Sequence, residues 1–236
     1  MIDIHCHVLY GVDDGPQTLE EALALAQALV AEGVTQVVAT PHILNPPLSE
    51  FSVAAGIGGL EKEYQKAGIE LEIISGGEVH YDHSLPEMRT HTINGGRYLL
   101  LEFPHSNLPR VAGELIFSIM SAGLIPIIAH PERNASILQN PELLASLVKQ
   151  GALSQLTAAS LVGDFGSPTR QCARYLLKKG LVHFLATDAH GATWRAPRLR
   201  KGLREAQKLL GTDRANRLVL DNPRCVLKNL DWEYDD

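Results

Sequence analysis

The sequence predicts an α/β fold in which about seven strand–helix units form a parallel barrel, closed or distorted. Three observations carry that expectation. Short β-branched or apolar runs alternate with helical segments through the 236 residues, with no internal break in composition, the pattern of a parallel sheet with crossover helices. Seven units suit a barrel better than a doubly wound sheet. Nearly every apolar run stops at a histidine or an acid, and in a parallel barrel those strand ends open on one face, where active sites form.

The first strand, Ile2 to Ile4, runs into His5 and His7, which lie two apart and so project from one face of an extended backbone. Asp13 and Asp14 follow in a turn closed by Gly15-Pro16 and offer a hard oxygen ligand. Thr18 and Glu21 have the spacing of a capping box, Leu19, Leu23, Ala26, Leu29 and Val30 keep helical spacing, and Gly33 stops the helix. Thr35 to Thr40 is a buried strand ending at Pro41-His42, followed by a proline-rich loop, Asn45-Pro46-Pro47, and a helix from Val53 to Lys66. The third strand, Leu71 to Ile74, leads to Glu78. Val79 to Asn94 reads as irregular and carries His80, His83 and His91.

The fourth strand, Tyr98 to Leu101, ends at Glu102, and a helix from Pro109 to Ser121 leads to the fifth, Ile125 to Ala129, which ends at His130. Asn140-Pro141 starts a helix that Gly151 closes. Leu153 to Thr157 is the sixth strand, and Ser167-Pro168 starts a helix that stops near Gly180. Val182 to Thr187 is the seventh, ending in Asp188-Ala-His190. The remainder is helical, with starts at Thr212 and Asn222-Pro223 and a solvated acidic tail from Asp231 to Asp236.

At this length one domain, residues 1–236, holds a single core. With 45% apolar and 20% charged residues the chain is neither disordered nor fibrous. A net charge of -6 gives no basic footprint, so no nucleic acid is expected as partner. Three scattered cysteines, Cys6, Cys172 and Cys225, read as reduced thiols. No apolar run approaches the roughly 18 residues of a membrane span, and no charged leader precedes the first strand. A cytoplasmic protein without membrane insertion is expected.

His5, His7, Asp14, His42, Glu78, Glu102, His130, Asp188 and His190 thus come to one barrel mouth as nine candidate ligands. One ion takes four to six, so nine imply two or three divalent ions, with a carboxylate such as Glu78 bridging. Imidazole mixed with carboxylate suits Mn, Fe or Zn. Cys6 points to the opposite strand face and is left out. Arg133 and Arg195 lie just beyond ligand motifs, and arginine forks match phosphate oxygens, so the site favours phosphoester hydrolysis. A lone histidine at a strand end is ordinarily a hydrogen-bonded structural residue; the convergence of strand ends is what argues for ligation. Arg133 has Glu132 and Glu102 as alternative structural partners, and Arg198 and Arg200 lie near Arg195.

Asp3-Ile-His-Cys-His7, Asp13-Asp-Gly-Pro16, Thr40-Pro-His42, Gly77-Glu78, Leu101-Glu-Phe103, His130-Pro-Glu-Arg133 and Thr187-Asp-Ala-His190 with Arg195 resemble the PHP (polymerase and histidinol phosphatase) superfamily. More narrowly they resemble the bacterial manganese-dependent protein-tyrosine phosphatases of capsular and exopolysaccharide gene clusters. The resemblance runs from residue 3 to about 198. It implies a distorted (β/α)7 TIM-like barrel and a di- or trinuclear Mn site built from the nine ligands above. It further implies phosphate binding by Arg133 and Arg195, and as substrate the phosphotyrosyl tail of a bacterial tyrosine kinase, the polysaccharide co-polymerase. Arg133, Arg195, Asp188 and His42 are the expected catalytic set, with a metal-bridging hydroxide as nucleophile. The alternatives are a small-molecule phosphatase of histidinol-phosphate type, an amidohydrolase-like enzyme that the arginines disfavour, and a non-catalytic metal-bound module that binds a kinase tail. Oligomeric state is open, a homo-oligomer included.

Overall fold

The computed structural model describes residues 1–43 and 50–233, the side chains of residues 50–52 excepted. The Asn45-Pro46-Pro47 loop and the last three residues of the acidic tail lie outside the described residues. In order come β1 (Ile2–Cys6), α1 (Leu19–Glu32), β2 (Gln36–Ala39), β3 (His42–Ile43), α2 (Glu50–Ala67), β4 (Glu72–Ser75) and β5 (Glu78–His80). Then follow α3 (Leu85–Thr90), β6 (Tyr98–Glu102), α4 (Ala112–Ser121), β7 (Ile125–Ala129), α5 (Ala135–Gln139), α6 (Glu142–Lys149), β8 (Leu153–Thr157) and α7 (Ala158–Val162). The chain ends with α8 (Ser167–Lys178), β9 (Phe184–Ala186), α9 (Leu199–Leu210), α10 (Thr212–Arg217) and α11 (Asp221–Leu227). No helix among the described residues is long and apolar enough to cross a membrane.

All strand pairs are parallel, in two sheets ordered β1-β2-β4 and β3-β5-β6-β7-β8-β9. Two of the seven expected strands are therefore broken, one at Thr40-Pro41 and one at Gly76-Gly77, and the chain re-pairs beyond each break. Proline donates no ladder hydrogen bond, which suits the first break. At the second, a Cβ on Gly76 would stand 2.7 Å from Val38 Cγ1, so a larger residue there would collide with the buried Val38 side chain. The barrel is distorted and its ladder is not continuously closed. β9 meets β1 through Asp188 N donating to His5 O (2.8 Å) and His7 N donating to Ala189 O (3.0 Å).

Inside the ring, alternate residues fill the bottom with apolar side chains: Ile2 and Ile4, Val38, Ile74, Tyr98 and Leu100, Ile127, Phe184 and Ala186. The same stripes end in polar groups at the mouth. Tyr98 and Leu100 lead to Glu102, and Phe184 and Ala186 lead to Asp188, each by the two-residue pleat. On β1 the pleat alone would give the wrong answer, because Ile2 and Ile4 share parity with Cys6. A register shift against β2 between Asp3 and Cys6 inserts one residue. Beyond this bulge Cys6 joins the outer core, and His5 is free to face the ring interior together with His7.

The helices cover the outside. On α1 the buried stripe is Ala22, Leu25, Ala26 and Leu29, one position round from the expected stripe, because leucines occupy both faces. Its cap is half a capping box: Thr18 Oγ1 accepts from Glu21 N (3.3 Å), while Glu21 Oε2 accepts from Gln17 N. Val79 to Asn94 is not irregular. It contains the end of β5, α3 and a 3-10 turn at Ile93–Gly95. α3 carries a full capping box between Ser84 and Glu87, a signal present in the sequence and obscured by the surrounding polar residues. α5 is likewise a helix the spacing did not announce, capped by Asn134.

α9 packs so closely on α7 that a Cβ on Gly202 would lie 2.7 Å from Ala158 Cβ and 2.9 Å from its backbone oxygen. Overpacking costs ~1–3 kcal/mol, and alanine's helix preference offsets ~1 kcal/mol of that. Gly202→Ala is expected to lower Tm by up to about 8 °C in a calorimetric scan; a raised Tm would show that the helices move apart freely.

Candidate metal centre

Glu78, the first residue of β5, is the hub of the barrel mouth. Its Oε2 lies 3.2 Å from His5 Nε2, 3.4 Å from His7 Nε2 and 3.1 Å from His42 Nδ1. Its Oε1 lies 2.8 Å from His130 Nε2. Asp188 Oδ1 closes on His5 Nε2 (3.5 Å) and His7 Nε2 (3.6 Å). On one flank Asp14 Oδ1 faces His190 Nε2 (3.1 Å) and His42 Nε2 (3.4 Å). On the other, Glu102 approaches His42 (3.5 Å) and His130 (3.8 Å). The structure brings all nine expected residues together in four overlapping clusters.

Apart from the hydrogen bond between His130 Nε2 and Glu78 Oε1, these contacts are not a hydrogen-bond network. His5 Nε2, His7 Nε2, His190 Nε2, Glu78 Oε2 and Asp188 Oδ1 are buried, and none has a hydrogen-bond partner. The opposite edge of each ring explains why. His5 Nδ1 lies 2.9 Å from Gln155 Oε1, His7 Nδ1 2.6 Å from Asp13 Oδ2, and His190 Nδ1 3.1 Å from Asp188 O. A ring nitrogen donates to each of those oxygens, so a proton sits on Nδ1, and each ring in its neutral form aims an Nε2 lone pair at the centre. Lone pairs facing carboxylate oxygens at 3.1–3.6 Å repel one another unless a cation lies between them. Bonds of about 2.1 Å to such a cation place neighbouring ligand atoms about 3 Å apart. The donor set therefore fits divalent ions.

The carboxylate field that would hold an ion also draws protons to the imidazoles when no ion is bound. Burial opposes charge on His5, His7 and His42, yet the surrounding carboxylates outweigh it and raise all three imidazoles above their usual range. Burial also works against Glu78 and Asp188, but the imidazoles around Glu78, and for Asp188 also Arg195, hold both well below the usual carboxylate range. His190, penalised by burial and then by His7, is pushed down to about 2 and stays neutral.

The mouth also holds strained backbone. His130, Asp188 and Arg195 adopt left-handed conformations, with φ of 33°, 49° and 44°, at a cost of about 1 kcal/mol or more each for non-glycine residues. For His130 this turn aims the ring inward where the pleat of β7 would send it away. Both arginines end on one atom: Arg133 Nη1 is 2.5 Å and Arg195 Nη2 2.7 Å from Asp188 Oδ2. Arg133 pairs with Asp188, not with Glu132 or Glu102. Arg198 and Arg200 are engaged elsewhere, on Asp164 and Glu32.

The model of the family "Capsular polysaccharide synthesis, CpsB/CapC" matches residues 1–228. The chain belongs to the CpsB/CapC family. It is 39% identical to the CapC protein of Staphylococcus aureus over 97% of this chain and 92% of that one. It is 35% identical, with the same coverage, to tyrosine-protein phosphatase YwqE of Bacillus subtilis. A solved chain from work on YwqE of Bacillus subtilis and CpsB of Streptococcus pneumoniae, described as metal-dependent tyrosine phosphatases, superposes with a TM-score of 0.92 at 34% identity. That match covers 98% of this chain and 96% of that one.

In this CpsB/CapC-family site, spacing alone did not point to the residues behind the ligands. Asp13 accepts from His7 Nδ1, from Gly15 N (2.9 Å) and from His42 N (3.0 Å), and these contacts outweigh burial to hold it at about 2. Gln155 Oε1 also accepts from His130 N (3.3 Å), which fixes its oxygen toward the imidazoles. His105 stands edge-on to His130 at 4.9 Å. No short motif assigns these three their positions behind the ligands, which depend on how the fold brings them to the imidazoles. Asp13→Ala is expected to weaken metal affinity by about 10–100-fold, read by competition with a chromogenic chelator. Unchanged affinity would mean that His7 needs no orienting partner.

Proposed function

We propose that this chain is a metal-dependent protein-tyrosine phosphatase whose site is the nine-residue cluster with Arg133 and Arg195. The observation that carries the reading is the convergence of buried imidazole nitrogens and carboxylate oxygens, several without a hydrogen-bond partner, on shared points, with two guanidinium groups beside them. His5, His7, Asp14, His42, Glu78, Glu102, His130, Asp188 and His190 would hold two or three ions, Mn for preference and Fe or Zn as substitutes. When bound, such ions supply a water of lowered pKa and positive charge for the phosphoryl oxygens.

The chain's own groups do the rest. Asp188 splits its two oxygens between the ligand cluster and the arginines, tying phosphate recognition to the ions. Arg195 keeps its Nε buried and without a hydrogen-bond partner, a donor free for a phosphate oxygen. Gln155, Asp13 and the Asp188 carbonyl engage Nδ1 of His5, His7 and His190 and so aim each Nε2 at the cluster. Asp14, whose side chain is half exposed, sits where substrate enters. The thiols are unsuited to attack. Burial pushes Cys172 up to about 12 and Cys6 well above its usual value, and no arginine follows any cysteine by six residues. Alkylation of thiols is expected to leave turnover intact.

The physiological substrate on this reading is the phosphotyrosyl tail of a bacterial tyrosine kinase in polysaccharide synthesis, met in the cytoplasm. The single domain spans residues 1–236. The test is kcat/KM on a phosphotyrosyl peptide against histidinol phosphate, with and without chelator. A chelator-sensitive preference for the peptide supports the reading. Preference for histidinol phosphate would transfer the same site to a small-molecule phosphatase.

A further inference from the structure

We propose that Trp194 is a specificity-determining residue: its indole is the platform on which the phenol ring of an aryl phosphate rests beside Arg195. The proposal rests on the phosphatase reading and names how the site tells tyrosine from serine. Both arginines meet at Asp188 Oδ2, so a phosphate held by their remaining N–H groups lies in one small region. Each arginine carries an aromatic neighbour. Arg133 Cζ lies over Phe165 at 4.5 Å from the ring centroid, and Arg195 Cζ lies 5.9 Å from the ring of Trp194. The indole also stands edge-on to His190, centroids 6.1 Å apart and planes at 85°. It thus spans the distance from the ligand cluster to the arginine rim.

Phe165 is half-buried and gives its face to Arg133. Trp194 is 62% exposed, so it has surface left for a ligand. A tyrosyl phosphate carries its ring one bridging oxygen from phosphorus, which brings that ring within the ~4.5–7 Å centroid separations of aromatic pairs. A seryl phosphate offers only a methylene there. The contrasting role for Trp194 is structural, as cover for His190 on the loop where His190 N donates to Arg195 O (3.1 Å). That role would affect all phosphoesters equally.

The experiment compares wild type, Trp194→Ala and Trp194→Phe, each Mn-loaded with its metal content measured. Rates are taken on phosphotyrosyl and phosphoseryl peptides of one sequence. Binding of phenylphosphonate and methylphosphonate is measured by calorimetry. In Trp194→Ala the phosphotyrosyl-to-phosphoseryl ratio of kcat/KM is expected to fall about tenfold, through KM, with Trp194→Phe restoring most of it. The advantage of phenylphosphonate over methylphosphonate is expected to shrink in parallel. An unchanged ratio and an undiminished phenyl advantage in Trp194→Ala would overturn the proposal, whether or not both rates fall together. A wild type that binds phenylphosphonate but does not cleave the phosphotyrosyl peptide would sink the phosphatase reading, while the binding comparison still decides on Trp194.

Discussion

Asp188→Asn is expected to lower turnover of a phosphotyrosyl peptide by about 10^3-fold and to reduce the metal content of the purified protein. The substitution keeps the side chain's shape, and asparagine tolerates the left-handed backbone at this position, so the protein should fold. What changes is the use of the two oxygens. Asp188 Oδ1 belongs to the unpaired cluster with His5 and His7, and Oδ2 accepts from both arginines. An amide has a single accepting oxygen. Its NH2 must then point either at imidazole lone pairs, where a ligand oxygen is needed, or at two guanidinium groups, where it repels. One charge lost is thus felt on both sides of the site. Near wild-type activity with full metal content would separate Asp188 from both roles.

Arg133→Ala and Arg195→Ala form the second large expectation. Each is expected to lower kcat by about 10^2–10^3-fold, the usual cost of deleting a donor aimed at charge that develops in the transition state, while metal content stays at the wild-type level. The contrast with Asp188→Asn is the informative part, because Arg133 touches the cluster through Asp188 Oδ2, and Arg195 through Asp188 Oδ2 and, at 3.7 Å, Asp14 Oδ2. Lysine at either position should rescue poorly, since it lacks the planar fork that reaches two oxygens. Steady-state kinetics with elemental analysis of each variant decides it. Metal loss in the arginine variants would mean that they hold the ions' ligands in place rather than the substrate.

The strand ends were legible because an apolar run that stops at a histidine or acid is a local pattern, and parallel topology does the gathering. His42, Glu102 and His190 needed no more than that. The β1 bulge was not legible: alternation from Ile2 and Ile4 aims Cys6, not His5, at the ring interior, and the extra residue is visible only against β2. The broken strands at Pro41 and Gly76-Gly77 left a trace in the sequence, but not where the chain re-pairs. α3 was hidden by its polar surroundings although Ser84 and Glu87 spell its cap. The orienting roles of Asp13, read from sequence only as a possible oxygen ligand, and of Gln155 were not legible, because orienting a ligand needs only one acceptor at the right distance, and many residues offer one. Asp13 and Asp14 are adjacent, and only the fold assigns the first to the imidazoles' rear and the second to the mouth.

The central claim is that the converging lone pairs hold ions on which phosphotyrosine hydrolysis depends. The most direct measurement counts metals by elemental analysis and follows phosphotyrosyl-peptide hydrolysis on the same sample, before and after chelation. Two or three Mn or Fe per chain, with turnover that chelator removes and added Mn restores, is the predicted result. Full turnover in a metal-free sample, or a folded chain that binds no divalent ion, would contradict it.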